Sequence, residues 1–318
     1  MTRSSAIAVV AGALGGALLV AALRQSFLGV FLGAMLSPLP LAMTAFGLGG
    51  AFMPVAVVGG SVTVAVLSGS FALAVVYLVL DAAPAVVLSR IALAAAKTDP
   101  NAPASGGALA RTVCGLAVGA VVLVVGGLIL VPVGPDGIEA AVAAKLSEAL
   151  AAMPTDPGAT SELVKSRAQI TEAMAAVLPG AAGWNWCLRA LISAALAQAM
   201  LKRMGLALWP TPDYRGFEVQ RWFFLLFAGA SAAALLLEGD AGYVASNAAA
   251  VLSLPLLLHG LAVAHSGARA ARQGPVLLVL FYVVALLTVP ASFVLLIGLA
   301  AADHVLALRG RLAKPRVD

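Results

Sequence analysis

Residues 112–131 read TVCGLAVGAVVLVVGGLILV, twenty consecutive positions without a charge. At about 1.5 Å per helical residue, such a run covers the roughly 30 Å of a bilayer's hydrocarbon. It shows no period-two alternation, so it does not read as a barrel strand. Backbone groups in hydrocarbon must then pair within a helix. The span is expected over about 109–131, stopping before Pro132. Comparable runs lie at about 6–23, 26–46, 50–67 and 70–95 before it, and at about 180–203, 219–237 and 241–265 after it. The last run, about 275–307, is too long for one ordinary span. Pro290 divides it, so two short helices in a hairpin are expected. Ser37-Pro38-Leu39-Pro40 interrupts the second run, because two prolines so close remove two backbone donors. The fold class is therefore all-α, a polytopic transmembrane helical bundle of about 8–10 membrane helices with an amphipathic outer segment.

Composition agrees. Of 318 residues, 62% are hydrophobic and 10% charged, against roughly 25% charged in soluble domains. A net charge of +5 raises nucleic acid as a partner, but the cations sit in short loops between spans, as the positive-inside rule expects. With a cytoplasmic N-terminus, fourteen fall on the inner side: Arg3, Arg90, Lys97, Arg111, Lys202, Arg203, Arg215, Arg221, Arg269, Arg272, Arg309, Arg311, Lys314 and Arg316. Four fall outside (Arg24, Lys145, Lys165, Arg167), and Arg189 lies within a span. Both termini are then cytoplasmic and the membrane is a bacterial inner membrane. Arg3 before an apolar run resembles a signal peptide, but the run is long and lacks a good cleavage site, so it is read as a retained first helix. Cys114 and Cys187, both within apolar runs, read as small buried hydrophobes.

Residues 133–179 differ from the rest. Asp136 and Glu139 form a capping-box pattern. Ile138, Val142, Leu146, Leu150 and Met153 then recur at helical spacing. Asp156-Pro157 reads as the start of a second helix with the stripe Leu163, Ile170, Met174 and Val177. Both helices should lie at the membrane surface or over a cavity mouth. The chain divides accordingly into an N-terminal membrane half (1–132), this interfacial segment (133–179) and a C-terminal membrane half (180–318).

Charged residues within spans cost roughly 2.5–3.5 kcal/mol each on insertion scales and so mark candidate sites. Asp81 and Arg189 sit at depths about 3 Å apart and can pair near the midplane. Trp184-Asn185-Trp186 reads first as an outer aromatic belt. Asn185 also shares a helix face with Arg189. Asn247 lies in the outer half of its span. The candidate ligand-binding set is Asp81, Trp184, Asn185, Arg189 and Asn247. His259, about 18 Å further along the span than Asn247, is a candidate gate or packing donor. His265 is expected to face water, and Asp303-His304 to face the basic tail. No metal-ligand spacing, nucleotide-binding loop or catalytic motif occurs, so no cofactor, no metal and no enzyme activity are expected. Gly12/Gly16, Gly29/Gly33 and Gly115/Gly119 each permit close helix contact.

The segment from Asn247 through His259-Gly260-Leu261-Ala262-Val263-Ala264-His265, the basic loop to Arg272, the run containing Tyr282, Pro290 and Asp303 resembles the YybS-like family of bacterial polytopic membrane proteins, best over residues 220–310. That family is loosely similar to the substrate-binding membrane subunits of energy-coupling-factor vitamin transporters. The resemblance implies a helical bundle that binds a small molecule and borrows its motor from other membrane subunits. The expected function is thus to bind or move a small solute without an ATPase of its own, with the lipid bilayer as its other partner. The alternative is a membrane scaffold for cell-envelope assembly.

Overall fold

The computed structural model describes residues 2–23, 33–98, 105–151, 161–271 and 273–312. Among them every regular element is helical. The helices are α1 (Arg3–Leu23), α2 (Leu39–Gly47), α3 (Met53–Ser68), α4 (Phe71–Tyr77), α5 (Ala83–Thr98), α6 (Gly106–Ile129), α7 (Gly137–Ala151), α8 (Ser161–Met204), α9 (Arg221–Leu236), α10 (Gly239–Ala270), α11 (Gly274–Leu287), α12 (Val289–Leu306) and α13 (Leu308–Leu312). Six of the described helical stretches are long and apolar enough to cross a membrane, and α9 and α11 are shorter apolar helices. Leu235 and Leu236 are 85% and 81% exposed. An apolar surface of that kind belongs in lipid.

The first half is assembled by close contact. A methyl group added to Gly16 in α1 would come 2.6 Å from the Gly60 carbonyl oxygen in α3, and one on Gly12 would overlap the Ala56 carbonyl. Gly12/Gly16 thus meets Ala56/Gly60, a small-residue seam that lets the two backbones touch. Gly119 has only an ordinary contact 3.9 Å from Trp186, so no backbone is pressed against it as one is at Gly12 and Gly16. Gly29 lies outside the described residues. Ser61, Thr63 and Ser68 on α3 return their hydroxyls to the Val57, Gly59 and Val64 carbonyls, the local solution for a hydroxyl in hydrocarbon. Gly69, at φ +67°, ends α3, and the Ser70 hydroxyl accepts from the Leu73 N–H to start α4.

α4 and α5 form one rod joined by a π-helical turn, Leu78–Ala82. The expected break in the second apolar run is present: a helical turn at 33–36 stops at Ser37-Pro38, and α2 starts afresh. The Asp156-Pro157 start falls outside the described residues. The amphipathic helix expected to end near 179 and the span expected from 180 are one helix, α8, with Pro179 inside it. Its 44 residues measure about 66 Å. It therefore projects well beyond a bilayer on the side that carries α7. The start of α7 is held from a distance: the Ile138 N–H donates to Asp240 Oδ1 over 2.6 Å, a partner the local capping pattern did not reveal. Ile138, Val142, Leu146 and Leu150 form its half-buried stripe.

The final apolar run breaks at Thr288, and Pro290 occupies the first turn of α12. Tyr282 of α11 meets His265, Phe293 of α12 stacks on Trp184, and Asp303 reaches back to His259. Trp184 is itself bonded to Ala250. The chain therefore climbs along α10 and returns, the expected hairpin. His265 is half-buried and bonded to the Tyr282 hydroxyl at 2.7 Å rather than simply facing water.

Candidate functional site

Three prolines organise the polar interior. Pro38 has no N–H, so the Ala34 carbonyl one turn earlier lacks its helical donor. Arg189 Nε from α8 donates to it at 2.8 Å. The same guanidinium bonds Asp81 through Nη2 and donates to Ser37 Oγ at 3.1 Å, while the Ser37 hydroxyl donates to Asp81 Oδ2 at 2.8 Å. Asp81 is fully buried and Arg189 5% exposed. The expected pair forms, and the broken second helix completes it.

Pro84 does the same in the α4–α5 rod. The Ala83 N–H bonds the Leu78 carbonyl, one residue further back than in an α-helix. In that register the next rung falls to Val79, which Pro84 cannot serve. The Trp186 indole serves it instead, at 2.9 Å.

Pro179 leaves the Ala175 carbonyl without a donor. The Tyr243 hydroxyl supplies one at 2.7 Å. Asn247, one turn on, bridges the next rung: its Oδ1 accepts from the Gly180 N–H at 2.7 Å and its Nδ2 donates to the Ala176 carbonyl at 3.1 Å. Asn247 is thus engaged with backbone. Trp184 donates to the Ala250 carbonyl at 2.7 Å and stacks on Phe293. Asn185 is exposed. Of the five candidates, the structure unites Asp81 with Arg189 and gives Asn247 and Trp184 other partners.

His259 is fully buried in α10. Its Nε2 lies 3.0 Å from Asp303 Oδ2 and 3.1 Å from Arg309 Nη2. Arg309 also reaches the Arg215 and Phe217 carbonyls and Asp303. The cluster ties the start of the basic tail to the connector between α8 and α9. His259 Nδ1 has no hydrogen-bond partner among the described residues. His304 stacks on Phe224.

A cavity of about 750 Å³ lies between α2, α5, α6 and α8. Its walls include Phe46, Leu88, Leu109, Leu191, Ala194, Ala195 and Ala199; Thr112, Gln198, Lys202 and Arg203 bring polarity, and Trp209, Pro210, Thr211 and Pro212 close one side. The Gln198 side chain donates to the Trp209 carbonyl at 2.8 Å, and the Leu208 N–H bonds the Phe46 carbonyl at 3.0 Å. The connector is therefore pinned beside the cavity. A second, open cleft of about 800 Å³ lies between α7 and the first half of α8, lined in part by Asp136, Glu139 and Glu172.

A family model described as predicted membrane protein (DUF2232) matches residues 13–303. The chain belongs to this family. No curated protein and no solved structure matches it. DUF2232 membership establishes a membrane protein, in keeping with the apolar helices, and the match spans every polar cluster described above except Arg309.

The cavity was not among the candidate sites read from the sequence. Its signal was present: Leu191, Ala195, Gln198 and Lys202 recur at three- and four-residue steps on one face of α8. Tyr243 and Arg309 were also missed as functional partners: the carbonyl that Tyr243 serves lies 68 residues away, and apart from Asp303 the groups that Arg309 meets lie 50 or more residues away.

Proposed function

We propose that this DUF2232 protein binds a small solute within the membrane and carries no motor or catalytic centre of its own. The observation that supports this is the cavity beside α8, which falls in the size range of small-molecule sites, with apolar walls and few polar groups. The resemblance to YybS-like proteins, and through them to energy-coupling-factor substrate-binding subunits, points the same way. The solute enters from the end of the bundle that carries Lys202 and Arg203 in the last turn of α8 and Arg215 in the connector that follows. By the positive-inside rule that end is taken as cytoplasmic, and on this proposal the chain lies in a bacterial inner membrane. Asp81 and Arg189 act as a fixed tie rather than as ligand contacts, since each already holds the other.

Ala195→Phe, which fills the cavity, tests the reading. Native mass spectrometry of the full chain released from its own membrane should detect a co-purifying small molecule, and the filled variant should lack it while remaining monodisperse. Equal retention by both proteins would refute the proposal. A scaffold for envelope assembly is the second reading, favoured by the mutual engagement of Asp81 and Arg189; it requires an intact partner complex in the filled variant.

A further inference from the structure

The chemistry of the cavity narrows what it takes. Its deep wall is hydrocarbon: Leu88 and Leu191 with the small Ala195, whose missing bulk makes the space. Its polar end carries Lys202 and Arg203 in the last turn of α8. Both are exposed and neither forms an ion pair among the described residues. The residues of α8 from Leu191 to Arg203 span about 18 Å along the helix axis. Cations therefore stand at one end of an apolar slot whose other end reaches well into the bilayer. A neutral solute makes no use of them, and a compact anion makes no use of the hydrocarbon wall.

We propose that the cavity holds a single-chain amphiphile with an anionic head, a phosphate or carboxylate on an acyl or isoprenoid chain. The chain lies on Leu88, Leu191 and Ala195, and the head meets Lys202 and Arg203. Gln198, already donating to the Trp209 carbonyl, holds the connector beside the head. This inference rests on the proposed function and specifies its ligand.

The full chain in a neutral detergent is titrated with hexadecyl phosphate, hexadecanol and inorganic phosphate, with binding followed by native mass spectrometry. Hexadecyl phosphate should bind one to one. Hexadecanol should bind roughly thirtyfold more weakly, and inorganic phosphate should not bind in the same range. The double variant Lys202→Gln/Arg203→Gln should lose about the same thirtyfold for hexadecyl phosphate and nothing for hexadecanol. Ala195→Phe should abolish binding of both; Ala199→Phe, nearer the mouth, serves if the first variant does not fold. Equal affinities for hexadecyl phosphate and hexadecanol, or an unaffected double variant, would overturn the anionic-head assignment while leaving the cavity reading intact. Inorganic phosphate bound as tightly as hexadecyl phosphate would overturn the chain-binding half. Binding of every probe undisturbed by the filled variants would overturn the cavity reading itself.

Discussion

Removing the Tyr243 hydroxyl should matter only while residue 179 is a proline. Ala175 is fully buried, and its carbonyl receives the Tyr243 hydroxyl at 2.7 Å because Pro179 has no N–H to offer. Tyr243→Phe strands that oxygen. A buried acceptor left unpaired costs about 1–3 kcal/mol in proteins generally, while interhelical bonds in membrane bundles measure about 0.6 kcal/mol on average and about 1.7 at most. The lower range applies, so about 1 kcal/mol is expected. Pro179→Ala restores an N–H one turn from Ala175, and the helix then satisfies its own carbonyl. In that background Tyr243→Phe should cost close to nothing, giving a coupling of about 1 kcal/mol in a double-mutant cycle. Reversible unfolding of the four proteins in mixed micelles measures it. Equal costs of Tyr243→Phe with and without the proline would refute the idea that the hydroxyl substitutes for the missing amide.

Asp81→Asn should leave Arg189 buried without its counter-charge and destabilise by about 3–5 kcal/mol, whereas Asp81→Asn with Arg189→Gln should recover much of that, read by the same unfolding assay. Gly16→Val should break the α1–α3 seam and yield little monodisperse protein on gel filtration, while Gly119→Ala, with its nearest contact at 3.9 Å, should behave as the parent. Arg309→Gln should lower stability by about 1.5–3 kcal/mol through lost charged hydrogen bonds and speed proteolysis after the α12 end. Burial, and then the nearby Tyr282, push the phenol of Tyr214 up from its ordinary 10.0. Its neutral form is therefore favoured by folding: the contribution is intact below that value and declines as pH rises past it, and Tyr214→Phe should flatten that part of an alkaline stability curve.

The spans were legible because hydrocarbon imposes a length and forbids charge, and both are local properties of the chain. The pairing of Asp81 with Arg189 was legible for a related reason, since two opposite charges at nearly equal depth have few other options. Asn247 was misleading. An intramembrane amide looks the same in sequence whether it serves a solute or a neighbouring backbone, and only the position of Pro179, 68 residues earlier, distinguishes them. Pro179 itself was read as the edge of a helix, because the donors that rescue it come from α10. The cavity was hidden for the opposite reason: it is made by what Ala194, Ala195 and Ala199 lack, and small residues also occur wherever helices pack closely, as at Gly12 and Gly16.

The proline-freed carbonyls have a consequence for assembly. Val79 and Ala175 each expose an oxygen whose donor is carried by another helix, Trp186 and Tyr243, and the Ala34 oxygen is shared between Arg189 and the Ser37 hydroxyl three residues on. Each acts as an address. A nascent helix that docks with the wrong neighbour, or one turn out of place, strands a bare oxygen among acyl chains at a cost of about 1 kcal/mol. Mispaired intermediates are thereby penalised one oxygen at a time, so the chain carries its own proofreading for helix order in a medium where greasy surfaces alone discriminate poorly.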